Sequence, residues 1–364
     1  MTESRIYQPI AAAWLAERKR GMIVSPARSG KTIIMAMALA KAIQSRQMAR
    51  AVRVGWMANT LEQCQQARHA IGLFPAVHLQ DVRIECAAAQ TDWSDRDVLV
   101  VDECHRSLAP THAAQIATCP GRLWGMTATP NEDAEERTAL LAMFGEMHVV
   151  TADQVKAHTA PAIVQWLDAT DPDIEAPITA EIDNEVARRR RWWKGDPGQL
   201  WGQVAFQVCA RRGVVENQVR NAAAIAAASS PRSTVVLVGQ VMHAEALAGR
   251  ISSALAVYSG MGAKTRRATL EMFNAGELRC IVGTNLLDEG IDLPRAEVLV
   301  LVAGGRSNSR TTQRTARVLT KFAGKEHGLI YDFTDHYHPL PAKHSRLRGE
   351  LYVRLGYQQR AIIT

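Results

Sequence analysis

The stretch "MIVSPARSGKTII", Met22 to Ile34, decides how the first half of the chain is read. Met22–Val24 is a short apolar run of β character, and Ile33–Ile43 carries apolar residues at helical spacing. The loop between them ends on Gly30, Lys31 and Thr32. A strand that feeds a helix through such a loop surrounds an anion with backbone N–H groups, while a lysine adds charge and a hydroxyl can hold a metal. Ser25 stands where the general phosphate-loop pattern has its first glycine, and Arg28 enters the tightest part of the loop. Four residues, "SGKT", are too few to decide the matter alone.

Working outward, the same alternation continues. Further strand candidates are Val52–Trp56, Val98–Val101, Leu123–Met126 and His148–Val150, with helical patterns at Leu61–Ile71 and Ala134–Met143. Such alternation implies βαβ units and a parallel sheet covered on both faces. "LDATDPDIEAPITAEIDN" is acidic, holds Pro172 and Pro177 and has no strand period, so it is read as a linker. Alternation resumes with "STVVLVG", "LAVYSG", "LRCIVGT", "AEVLVLV" and "GLIYDF". The expectation is α/β: one domain over 1–165, a linker over 166–182 and a second domain over 183–364, with a helical lead-in at 183–230. That lead-in sets Arg188–Arg191 beside Trp192 and Trp193. It reads either as a solvated basic face with core tryptophans or as a surface for phosphates and stacked bases.

Composition bounds the answer. The chain has 364 residues, 47% hydrophobic and 22% charged, with a net charge of +7. That length suggests two domains, and that balance a soluble globular protein. The positive excess is compatible with a polyanionic partner without requiring one. The six cysteines form no C-x-x-C pair, which argues against a disulfide framework or a structural zinc site and for a cytoplasmic setting. "MTESRIYQPI" has no apolar signal core, and "NAAAIAAASS" is far short of a bilayer span, so no membrane partner is expected.

A second carboxylate-bearing segment changes the weight of the first. "VLVVDECHRS" places Asp102 and Glu103 just past an apolar strand, at the sheet edge where parallel α/β proteins bind ligands. One carboxylate can hold Mg²⁺ and the other can orient an attacking water, the division that phosphoryl transfer needs.

With these residues in place the chain resembles superfamily 2 helicases of the DExH type, of the phage, restriction or recombination kind, over nearly its whole length and in the family's order. "RIYQ" resembles the element whose glutamine reads adenine, here Gln8. "SPARSGKT" resembles motif I, with Ser29, Gly30, Lys31 and Thr32 on ATP and Mg²⁺. "WMANTLEQCQQ" resembles motif Ia, "DECH" motif II, and "GMTATP" motif III at Thr127, Ala128 and Thr129. "STVVLVGQVMHAEAL" resembles motif IV. "GTNLLDEGIDLP" resembles motif V, which implies Thr284 on a nucleic-acid phosphate and Gly290 and Asp292 at the nucleotide. "TTQRTARVLT" occupies the place of motif VI.

The resemblance implies two tandem RecA-like domains, each a parallel sheet with helices on both faces, binding ATP·Mg²⁺ between them and a nucleic-acid strand across both. Within the family the first loop position is often not glycine, so Ser25 is ordinary; Arg28 departs, and its side chain is expected to point to solvent. Lys31, Asp102, Glu103 and Arg317 are the implied catalytic residues, with Thr32 and Asp102 at the metal. His105, Thr127 and Thr129 are implied to couple the sites; for His105 the alternative is a strand-end histidine satisfied by backbone. Asn59 and Thr60 are implied to meet the strand, Thr60 being also a natural helix cap.

Motif VI departs most. Gln313 and Arg317 are present, Ala316 replaces the glycine, and Thr320 stands where the second arginine belongs. Residue 320 is expected one helical turn beyond Arg317 on the same face, with Lys321 or Arg314 as substitutes for the missing charge. Slow or strongly substrate-gated hydrolysis follows. The expected partner is nucleic acid, single-stranded DNA before RNA, acted on by a monomeric motor of the prokaryotic or phage-infected cytoplasm, with a partner protein one option for so compact a chain. The rival expectation is a nucleic-acid-binding module derived from a helicase.

Overall fold

A computed structural model describes residues 4–45, 52–128, 133–284 and 293–363. The chain divides into two compact units, the second beginning at Thr159. In the first, β1 (Arg20–Val24), β2 (Val54–Ala58), β3 (Val82–Cys86), β4 (Val98–Asp102), β5 (Arg122–Thr127) and β6 (Met147–Val149) form one parallel sheet. Its order is β3-β2-β4-β5-β1-β6. In the second, β7 (Ala162–Asp168), β8 (Thr234–Leu237), β9 (Ala254–Val257), β10 (Cys280–Gly283), β11 (Val298–Leu301), β12 (Gly328–Thr334) and β13 (Gln358–Ile363) pair in the order β13-β7-β12-β11-β8-β10-β9, again all parallel.

The apolar runs become strands because both faces of each sheet are covered, and alternate side chains then serve opposite cores. On β4, Val98 and Val100 join the cluster that holds Ile23, Trp56 and Trp124. Leu99 and Val101 join the opposite one with Met22, Met57 and Phe144. Helices Tyr7–Ala16, Lys31–Gln44 and Leu61–Gly72 contribute to the first cluster, and Pro110–Ala117 and Ala134–Phe144 to the second.

The linker expected over 166–182 is not what the structure holds. Residues 162–168 are β7, inside the second sheet between β12 and β13. Pro172–Arg190 is a helix capped by Asp171, whose side chain accepts from the Asp173 N–H. Pro172 occupies the first helical turn, where a missing N–H is harmless. Ile174, Ile178, Ile182 and Val186 form a stripe that packs on Leu200, Val204 and Val208 of helix Pro197–Ala210. The acidic residues and two prolines mask that stripe in the sequence. The boundary therefore moves from 165 to 158, and the helical lead-in starts earlier than 183. β3, β7 and β13 also went unassigned: each is a polar-interrupted strand toward an edge, and every residue of β13 is exposed. No helix among the described residues is long and apolar enough to cross a membrane.

Candidate functional site

Strand order brings the first-unit residues together. β4, β5 and β1 are adjacent in the sheet, so 102–105, 127 and 25–32 leave neighbouring C-terminal strand ends. The Ser25 N–H donates to the Thr127 carbonyl at 3.0 Å and ties the first loop to the end of β5. The helix then begins at Lys31 behind Gly30, whose φ of 77° is left-handed. A Cβ there would lie 2.5 Å from Gln8 Nε2, so both conformation and packing call for glycine.

The N-terminal element clamps this loop. Tyr7 OH donates to the Ser29 carbonyl at 2.8 Å and Gln8 Nε2 donates to the same oxygen at 3.1 Å. Gln8 Oε1 accepts from the Arg5 N–H at 3.0 Å, and Arg5 Nη1 donates to the Arg28 carbonyl. Among the described residues, one N–H and one lone pair of the Gln8 amide stay available, since an amide offers two of each. Arg5 and Tyr7 are functional neighbours that the sequence reading passed over, although "RIYQ" contains both. Arg28 has a left-handed φ of 67°. Its side chain is half-buried, with Nη2 enclosed by protein, rather than pointing to solvent as expected.

The carboxylates follow β4. Asp102 Oδ1 accepts from the Glu103 N–H at 2.8 Å, and Glu103 takes a left-handed φ of 47°. Burial pushes the Glu103 carboxyl up, but His105 and the Lys31 charge outweigh it and hold the group below the usual carboxylate range. His105 Nδ1 lies 3.4 Å from Glu103 Oε2 and 2.9 Å from Thr127 Oγ1, so it joins the carboxylate to the end of β5. Among the described residues, Lys31 and Thr32 make no side-chain hydrogen bond. The hydroxyls of Ser25 and Ser29 are likewise buried without a partner. An ionised carboxylate, a cation, free hydroxyls and a helix N-terminus at one sheet edge suit a metal-bound polyphosphate.

Asn59 and Thr60 leave β2. Thr60 caps helix Leu61–Gly72 through a reciprocal pair with Gln63, and Asn59 Nδ2 reaches the Asp102 carbonyl at 3.4 Å. The cap reading of Thr60 is realised, and Asn59 lies beside the carboxylates. Thr129 falls outside the described residues, as do Gly290 and Asp292.

In the second unit, Thr284 follows β10 and its N–H donates to Val257 at 3.4 Å. Gln313 is half-buried on helix Asn308–Thr315, and Arg317 is buried in the 3₁₀ turn Ala316–Leu319. Thr320 does not continue that helix. Its backbone is extended, at φ −62° and ψ 126°, and it pairs antiparallel with Thr159. The expectation of a shared helical face with Arg317 therefore fails, because the chain turns into bridge pairing at that residue. Arg314 donates to the Gly304 carbonyl at 3.1 Å. The basic-aromatic lead-in divides: Arg188 and Arg189 pair with Glu185, and Trp193 packs in the helical core with Nε1 donating to Asp196, whereas Trp192 is 87% exposed.

Residues 218–320 match the family described as the helicase conserved C-terminal domain. Over 336 residues the chain is 25% identical to a putative DNA 3′-5′ helicase Rad25 of Halobacterium salinarum, covering 86% of this chain and 52% of that protein. The chain spans about half the length of the curated relatives it matches over most of its own length. Among solved structures, the Hef helicase domain of Pyrococcus furiosus superposes with TM-score 0.56 at 14% identity, over 94% of this chain and 98% of that one. Dbp5 of S. cerevisiae, bound to RNA and ADP BeF3, superposes with TM-score 0.61 at 14% identity, over 99% and 90%. The two parallel-sheet units thus have the tandem RecA-like fold, and the sequence likenesses are to helicases.

Proposed function

We propose that the chain is an ATP-dependent helicase or translocase of the DExH type whose ATPase is stimulated by nucleic acid, single-stranded DNA before RNA. The observation that carries this reading is Glu103, half-buried and held ionised by His105 and Lys31 beside the helix that starts at Lys31. Ser29, Gly30 and Lys31 hold the phosphates through backbone N–H groups and the ammonium, and Thr32 and Asp102 hold Mg²⁺. Mg²⁺ bound there with ATP would supply charge neutralisation at the phosphates. Glu103 orients the attacking water, and His105 fixes Glu103 while reporting to Thr127 and Thr129. Gln8 reads adenine with the amide capacity left over from the loop. Gly290, Asp292 and Gln313 complete the nucleotide contacts. Arg317 supplies the cation that stabilises the transition state, an effect worth ~10³ or more in rate. Asn59, Thr60 and Thr284 meet the strand. The DNA preference is supported by a relative named as a DNA 3′-5′ helicase. We place the activity in a prokaryotic or phage-infected cytoplasm, carried by a monomer with or without a partner protein.

Steady-state ATP hydrolysis measured without nucleic acid and with single- and double-stranded DNA and RNA tests the reading. Stimulation greatest with single-stranded DNA is expected, and Lys31→Ala is expected to remove turnover while leaving strand binding within a few-fold. Turnover that no nucleic acid stimulates, or a folded Lys31→Ala protein with normal turnover, would overturn it.

A further inference from the structure

We propose that the second unit contains a pocket for one nucleotide of a single nucleic-acid strand, with the phosphate held by Arg306, Arg310 and the start of helix Asn308–Thr315 and the base stacked on Phe206. The inference rests on the reading of the chain as a nucleic-acid motor and names a contact that none of the motif residues supplies.

A cavity of about 980 Å³ opens where the loops after β8 and β11 leave the sheet, at Gly239–Gln240 and at Ala303–Ser307. Its wall is completed by helix Pro197–Ala210 and the first turns of helix Pro339–Arg354. The C-terminal strand ends of a parallel sheet are where such folds bind ligands. Arg306, Arg310 and Arg314 line the cavity, and among the described residues no acidic side chain does. Arg306 and Arg310 are exposed, while Arg314 braces the Gly304 carbonyl. Gly305 has a φ of 118°, which side-chain-bearing residues avoid, so the loop can bring backbone and the Ser307-capped helix start to the cavity. Anions are favoured at such a helix start.

Two observations point to an aromatic ligand with polar edges rather than to a bare anion. Phe206 lines the cavity yet is 57% exposed, a ring face without full cover. His344 also lines it, is only 9% exposed, and makes no hydrogen bond among the described residues. Burial, with Arg306 and Arg348 nearby, pushes the His344 ring below its ordinary value and favours the neutral imidazole, which presents one donor and one acceptor. Arginines for the phosphate, a ring for the base face and an imidazole for the base edge form the combination that single-strand binders use.

Fluorescence anisotropy with labelled dT12, across a salt series, reads the pocket directly. Phe206→Ala is expected to raise Kd about tenfold, within the range for loss of one base stack. Phe206→Leu, which keeps apolar bulk on the helix, is expected to raise it nearly as much. Arg306→Ala and Arg310→Ala are each expected to lower the slope of log K against log salt by about 0.7, and His344→Gln to weaken binding with the slope unchanged. Folded variants that bind dT12 with wild-type Kd and slope would overturn the pocket while leaving the motor reading intact. Weakening by the arginine variants alone would also overturn it, since an acidic peptide or another ligand without a ring would behave in that way. A wild-type chain that binds no strand at all refutes the motor reading itself.

Discussion

At the residue scale the first unit turns on Glu103. A carboxylate buried in protein ordinarily gains protons, but the Lys31 ammonium and His105 reverse the balance. Its proton is therefore released below the ordinary carboxylate range, and the charged form that orients water is present throughout neutral and mildly acidic conditions. Glu103→Gln keeps the shape and removes the charge. It is expected to bind ATP and Mg²⁺ within a few-fold of wild type while kcat falls by at least two orders of magnitude, about the scale of lost electrostatic positioning. Nucleotide titration beside single-turnover hydrolysis checks the split; an equal loss of both would make Glu103 a structural or metal-holding group. The residue types here were legible from "SGKT" and "DECH". What was not legible is that Arg5, Tyr7 and Gln8 share the Ser29–Arg28 backbone, because hydrogen bonds over more than twenty residues leave no local pattern.

At the scale of elements, two predictions concern the segments that behaved differently from their sequence pattern. Pro177 lies inside helix Pro172–Arg190, where the ring removes a hydrogen bond to the preceding turn. It is exposed. Pro177→Ala is expected to stabilise the second unit by about 2 kcal/mol, the interior-proline penalty less the entropy that proline removes from the unfolded chain. A urea unfolding midpoint that shifts down instead would show that the helix needs the bend. Thr320 carries the other prediction. Its extended backbone and bridge to Thr159 take it off the 3₁₀ turn Ala316–Leu319 that holds Arg317. Thr320→Arg is thus expected to leave kcat at or below the wild-type value, whereas Arg317→Ala is expected to reduce it ~10³-fold. A several-fold gain in Thr320→Arg would restore the helical-face reading of motif VI.

At the scale of the whole molecule, the second unit is organised around a buried ionic network that joins distant parts of the chain. Arg348 donates to Asp332 at 2.8 and 2.9 Å and to Asp335 at 3.2 Å, Arg220 reaches Asp335 at 2.6 Å, and Tyr352 OH donates to Asp332 at 2.7 Å. Burial pushes the Arg348 charge down, and the two carboxylates more than reverse it. Arg348→Met leaves those carboxylates buried with only Arg220 between them. It is expected to destabilise the second unit by about 3–5 kcal/mol, read as a lower denaturation midpoint. An unchanged midpoint would mean that water already enters the network. None of this was visible in the sequence, where "GLIYDF" reads as one more strand of the second sheet. The sequence by itself determined the parallel α/β architecture, since runs such as "VLVVD" and "TVVLV" are too apolar for any strand not covered on both faces. It also determined the phosphate-loop and carboxylate chemistry, because those depend on residue type next to a strand end. Only the tertiary structure decided the boundary at 158, the helix in the acidic segment, the position of Thr320 and the cavity beside Phe206. Each of these depends on which distant surfaces meet, and a local pattern of apolar, acidic or proline residues holds no record of that.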